Sequence, residues 1–131
     1  MKRIIMHWTG GVYQPSGLDK KHYHYLIDGN GKVHNGKLPP SANEQRPLPK
    51  GKYAAHTARL NSGSLGVAIC AMANATPERF GDYPVLPCQI EALTKFVAEQ
   101  CAAYGIEVTR DTVFTHAESP TNTNGKWDIT W

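Results

Sequence analysis

The stretch Leu65-Gly66-Val67-Ala68-Ile69-Cys70-Ala71-Met72 is a continuous apolar run of strand length. A strand with one wet face alternates apolar and polar residues, so an unbroken run predicts a central strand covered on both faces. Upstream, Arg3 to His7 forms a short apolar strand that stops at the turn signal Thr9-Gly10-Gly11, which leaves its last side chain at a sheet edge. Tyr23 to Ile27 and Lys32 to His34 flank Asp28-Gly29-Asn30-Gly31, whose Asx-Gly pairs supply the positive φ angles of a tight hairpin. Alternation there puts Tyr23, Tyr25 and Ile27 on one face and His24, Leu26 and Asp28 on the other. Downstream, Ile106 to Val108 and Thr112 to Thr115 make the last strand, ending at His116.

Helical signals are fewer. Ile90, Leu93, Phe96, Val97, Cys101 and Tyr104 recur at helical spacing and Gly105 follows as a stop, which predicts the main helix. Ser16 can cap a helical turn at Asp19-Lys20-Lys21. Gly36 to Lys52 carries Pro39, Pro40, Pro47 and Pro49 among polar residues and reads as an irregular surface loop, as does Asn74 to Pro87. With 131 residues and 40% hydrophobic content the chain suits one core. The expected fold class is therefore α/β (α+β), a single domain over residues 1–131 with a central mixed sheet of about five strands flanked by helices.

The formal net charge of +3 is spread without a block of like charges. It suits an anionic polymer and offers no basic cluster with interleaved aromatics, so no nucleic-acid partner is expected. No apolar run is long enough to span a membrane, and no signal-peptide pattern precedes Ile4. The expectation is synthesis in the cytoplasm, without a membrane partner. Cys70, Cys88 and Cys101 form no CxxC pair and are expected as small buried hydrophobes; Cys88 and Cys101 lie too far apart on one helix to bond.

His7 and His116 each close a strand, and Asp128 follows the second. Two imidazoles and a carboxylate suffice to hold a catalytic zinc with a position left for water. Spacing alone is a weak signal, because a single histidine is more often a surface or hydrogen-bonded structural residue, and no local zinc-finger pattern occurs. Position at strand ends favours His7 and His116 over His22 and His34, which read as surface residues. Lys126 and Asp128, one residue apart in an extended segment, point to the same side, so the ammonium would stand where an oxyanion develops.

Four segments occur in an order that resembles a known family: Ile5-Met6-His7-Trp8-Thr9-Gly10-Gly11; His22-Tyr23-His24-Tyr25-Leu26-Ile27-Asp28-Gly29-Asn30-Gly31; His56-Thr57 through Asn61-Ser62-Gly63-Ser64-Leu65-Gly66-Val67-Ala68; and Thr115-His116-Ala117-Glu118 with Lys126-Trp127-Asp128-Ile129. Over nearly its whole length the chain resembles the zinc-dependent N-acetylmuramoyl-L-alanine amidases, the superfamily shared by phage-lysozyme-type amidases and peptidoglycan recognition proteins. The resemblance implies a peptidoglycan-recognition-protein-like fold and one zinc per chain held by His7, His116 and Asp128. It implies Tyr23 and Lys126 as catalytic groups, because Ala68 and Cys70 stand where some branches place a glutamate. Trp8, His24, His56, Thr57 and Asn61 lie beside motif residues as candidate substrate contacts, with core packing an equal reading for Trp8.

The implied function is hydrolysis of the amide between N-acetylmuramic acid and L-alanine in peptidoglycan, by a monomeric, bacteriolytic phage or prophage endolysin acting on the wall after release. A non-catalytic peptidoglycan-binding module and a cytoplasmic muropeptide-recycling amidase are the alternatives. Two features depart from the family: Ser119 to Gly125 is short and rich in Asn and Thr, and many relatives continue into a further helix beyond the position of Trp131.

Overall fold

A computed structural model describes residues 1–130. Strand β1 (Arg3–Trp8) leads to helix α1 (Gly17–His22), the hairpin β2 (Tyr25–Ile27) and β3 (Val33–Asn35), strand β4 (Ser64–Ile69), helix α2 (Pro87–Tyr104) and strand β5 (Val113–Thr115). The five strands form one mixed sheet in the order β3-β2-β4-β1-β5, with β4 parallel to both β1 and β2, β5 parallel to β1, and β3 antiparallel to β2. All six residues of β4 are buried, as its unbroken apolar run requires. The strand stops at Ile69; beyond it Met72 takes φ +76° and bridges Gly11.

Alternation sorts the two faces. Ile4, Met6 and Trp8 of β1 and Leu65, Val67 and Ile69 of β4 face α2, packing with Leu93, Val97 and Cys101. Helix α2 runs because its apolar residues recur at three and four positions, and it ends at Gly105, whose φ of +65° costs glycine nothing. Its start is held by the Gln89 side chain, which accepts from the Leu86 amide at 2.9 Å while its Nε2 donates to the Cys70 carbonyl. The opposite face carries Ile5, His7, Leu26, Gly66 and Ala68. The proline-rich segment covers it, with a 3-10 turn at Pro40–Asn43 against β4.

That segment is less of a surface loop than its composition suggests. Asn43 is fully buried, exchanges hydrogen bonds with both backbone groups of Ala54, and donates to the Asn61 carbonyl. A buried amide side chain here replaces the ladder that a strand would supply.

Four other expectations need correction. Ile106 to Val108 is no strand: Ile106 anchors in the core while Val108 is exposed, so only Val113–Thr115 pairs with β1. His116 opens a 3-10 turn, His116–Glu118, instead of ending the strand. Tyr23 does not share a face with Tyr25. It lies outside β2 as the residue capping α1, and its ring meets His7 while Tyr25 packs on Phe96. Cys88 is exposed in the first turn of α2, where its thiol donates to the Gly29 carbonyl; Cys70 and Cys101 are buried as expected. Helix α1 runs for six residues, capped reciprocally by Ser16 and Asp19.

Candidate metal centre and active site

Strand register brings the two histidines together. Met6 of β1 pairs with Thr115 of β5, so the next residue on each parallel strand, His7 and His116, emerges at the same edge of the sheet. Their ring centroids are 4.8 Å apart. Asp128 reaches the same edge because the chain turns back after η-type residues 116–118, and the Ala117 amide donates to the Asp128 carbonyl at 2.6 Å. Trp127, pointing the other way, packs edge-to-face on Trp8 and locks the returning segment to β1. Separation of Lys126 and Asp128 by one residue thus puts both on the groove while Trp127 turns into the core.

The geometry of the three side chains suits a small divalent cation. His7 Nδ1 lies 3.1 Å from Asp128 Oδ2, and His116 Nδ1 lies 3.3 Å from Asp128 Oδ1. Candidate ligand atoms from all three residues fall within 4.8 Å of one another. Tetrahedral ligands at zinc–nitrogen and zinc–oxygen bond lengths of about 2.0–2.1 Å stand roughly 3.3 Å apart. Burial lowers the pKa of His7, and although Asp128 acts in the opposite sense the net shift is downward, which favours the neutral ring. Burial would raise Asp128, but hydrogen bonds from His116 and His7 outweigh it and hold the carboxyl below its ordinary range. With both Nδ1 atoms deprotonated, the same three side chains can instead turn their lone pairs on a shared cation.

His116 and Asp128 line a groove of about 780 Å³, with His7 buried against Asp128. Tyr23 stands over it with its ring centroid 5.1 Å from that of His7. Burial first, and then the nearby Asp128 charge, push the Tyr23 hydroxyl well above its ordinary pKa, so it stays protonated and can donate. Lys126 is exposed at the groove wall. Asn122 fixes its backbone, accepting from the Lys126 amide at 3.0 Å and donating to its carbonyl at 2.8 Å.

The expected substrate contacts divide. Trp8, Thr57 and Asn61 line the groove, Trp8 with a foot in the core as well. Asn61 uses its side-chain oxygen to accept from the His56 and Thr57 amides, so it shapes the loop. His56 also borders the groove, but it is only 7% exposed and is engaged by His7, Thr57 and the Ser64 carbonyl. His24 is not on the groove at all. Just ahead of β2, it is buried behind His56 beside the proline-rich segment and accepts from the Gly66 amide.

Sequence reasoning missed three groove residues. His22, expected at the surface, lines the groove and bonds the Ala55 carbonyl through Nδ1 at 2.8 Å. Tyr53 comes from the end of the proline-rich segment, which carries no periodic signal. Arg59, at φ +63°, donates to the Thr121 carbonyl and Thr123 hydroxyl, tying the two loops that border the groove. His34 is structural, bonded to Asp28 at 2.7 Å.

A family model described as N-acetylmuramoyl-L-alanine amidase matches residues 1–129. The chain belongs to that family. The amidase is also similar in fold to the Ph2119 endolysin of the Thermus scotoductus MAT2119 bacteriophage Ph2119, at a TM-score of 0.63 and 18% identity, covering 98% of this chain and 78% of that one. The amidase AmiD from E. coli, solved with anhydro-N-acetylmuramic acid-L-Ala-D-gamma-Glu-L-Lys, aligns at a TM-score of 0.57 and 23% identity, over 89% of this chain and 48% of AmiD. Bumblebee PGRP-SA aligns at a TM-score of 0.58 and 15% identity, over 88% of this chain and 70% of that one. At these identities the likeness is one of fold. No curated protein matches the chain.

Proposed function

We propose that this amidase is zinc-dependent and cleaves the amide between N-acetylmuramic acid and L-alanine, with His7, His116 and Asp128 as the metal ligands. The observation that carries the reading is the convergence of two imidazole Nδ1 atoms on one carboxylate, at a groove that His116 and Asp128 line. When bound, the ion supplies an acidified water and Lewis-acid polarisation of the scissile carbonyl. Tyr23 presents a protonated hydroxyl above that carbonyl and donates to its oxygen. Lys126 places a positive charge on the same wall, where the developing oxyanion gains most from it. Trp8, Thr57 and Asn61 line the binding groove for the glycan and stem peptide.

All of these residues come from one chain, so a monomer is the proposed working unit. The net charge of +3 suits an anionic wall. Endolysin is the word in the name of the Ph2119 neighbour, and we propose the corresponding role here: a phage or prophage enzyme made in the cytoplasm and acting on the wall after release. AmiD was solved with the substrate anhydro-N-acetylmuramic acid-L-Ala-D-gamma-Glu-L-Lys. Parallel digestion of intact sacculi and of soluble anhydro-muropeptides, with metal analysis of the purified protein, tests the proposal. One zinc per chain and release of stem peptides from sacculi are expected. Turnover of soluble muropeptides alone would replace the endolysin role with a recycling one, and wall binding without release would leave a recognition module.

A further inference from the structure

His56 occupies a position that substrate binding does not account for. Its ring is buried, its Nδ1 lies 3.1 Å from His7 Nε2, and its Nε2 lies 3.2 Å from the Ser64 carbonyl oxygen. The ring is also packed edge-on against His7, with centroids 5.1 Å apart. We propose that His56 is a positioning residue for His7: it fixes the His7 tautomer so that the Nδ1 lone pair faces His116 and Asp128. This inference rests on the zinc reading of the site.

The hydrogen-bond pattern assigns the protons. A carbonyl oxygen can only accept, so His56 Nε2 carries the hydrogen. His56 has no carboxylate among its hydrogen-bond partners and is therefore a neutral ring whose Nδ1 is a lone-pair acceptor. A His7 Nε2–H that donates to it leaves His7 Nδ1 free to ligate an ion; without the ion that atom, 3.1 Å from Asp128 Oδ2, can donate to the carboxylate instead. The Thr57 hydroxyl oxygen, 2.9 Å from His56 Nδ1 and 3.4 Å from His7 Nε2, can accept from the same His7 N–H. With an ion bound, the two histidines together prescribe the tautomer that ligates through Nδ1.

The fold makes room for this ring. A Cβ added at Gly66 of β4 would stand 2.6 Å from two His56 ring atoms, so the strand lacks a side chain where the imidazole lies. Asn61 holds the His56 and Thr57 amides through one side-chain oxygen, at 3.0 and 2.9 Å, which fixes the approach of the ring. A histidine that served only to touch substrate would need neither the bond to Ser64 nor the cleared strand.

Zinc affinity measured by chelator competition for wild type, His56→Ala and His56→Asn tests the proposal, together with nitrogen chemical shifts of the imidazoles in zinc-loaded wild type. His56→Ala is expected to weaken zinc binding about 10- to 100-fold. His56→Asn, whose side-chain oxygen can stand in for the accepting Nδ1, should recover most of that loss. His7 should appear as the Nε2–H tautomer in the zinc-loaded protein. Wild-type zinc affinity in folded His56→Ala, with only KM raised, would overturn the proposal and return His56 to the substrate. A His7 ring protonated at Nδ1 in place of Nε2 would overturn it as well. If His56→Ala does not fold, His56→Asn and the wild-type tautomer decide the question. If wild type binds no zinc, the metal reading fails and this inference falls with it, whereas zinc binding untouched by His56→Ala removes the inference alone.

Discussion

Lys126 and Tyr23 reach the groove by different routes, and the difference shapes what their loss should do. Lys126 sits on an exposed extended segment whose backbone is held by Asn122, so removing its side chain leaves the floor of the groove intact. Lys126→Ala is expected to lower kcat about a hundredfold to a thousandfold with zinc content unchanged, measured on sacculi and by metal analysis. His116→Ala should instead lose the metal together with activity; near-normal cleavage by a zinc-free His116→Ala protein would sink the mechanism. His7 and His116 stood out because each closes an apolar run, but only the resemblance joined them with Asp128 into a proposed ligand set. Tyr23 was legible through resemblance but placed on the wrong face by alternation, since period two holds only inside a strand and β2 starts two residues later. His24, read as a substrate contact, lies one residue ahead of β2 and is buried behind His56, away from the groove.

Elements with strong internal periodicity could be read directly. Helix α2 and strand β4 are specified by patterns that repeat within their own lengths, and both occur where the pattern places them. Leu93, 5% exposed at the centre of the helix–sheet contact, should cost about 2–5 kcal/mol when cut to alanine, as measured by urea unfolding. Gly66→Ala tests the other face. The added methyl meets the His56 ring at 2.6 Å in a strand paired on both sides, so a loss of about 1–3 kcal/mol is expected with a fall in zinc affinity. The proline-rich segment and the Ser119 to Gly125 loop were not legible. They are held by side-chain bonds across long separations, Asn43 to Ala54 and Asn61, and Arg59 to Thr121 and Thr123, which leave no local pattern.

At the scale of the whole molecule, the buried histidines couple stability to acid. Burial depresses the pKa of His24 to about 4, against an ordinary value of 6.5. The folded state therefore binds this proton less readily than the unfolded chain. The contribution is fully present above pH 6.5 and is lost as pH falls through about 4, a decline on the order of 3 kcal/mol. Urea midpoints measured on metal-free protein between pH 7 and pH 4 should show it. His24→Asn, which can still accept from the Gly66 amide, should flatten the dependence. Metal works in the opposite sense, since an ion bound only by the folded chain stabilises it by about 2.7 kcal/mol at a free concentration a hundredfold above its Kd. Chelation should lower Tm accordingly in wild type and leave His116→Ala unchanged.

Sequence by itself determined the central strand, the main helix and the hairpin, because each is written in a local period or a turn chemistry, and its resemblance singled out His7, His116 and Asp128, which converge. Tertiary structure alone decided the rest. The parallel register of β1 with β5 set His7 beside His116, and the return of the chain over Trp8 brought Asp128 to them. The cleared strand at Gly66 admitted His56 beneath His7. These are contacts between residues tens of positions apart, and only packing selects them.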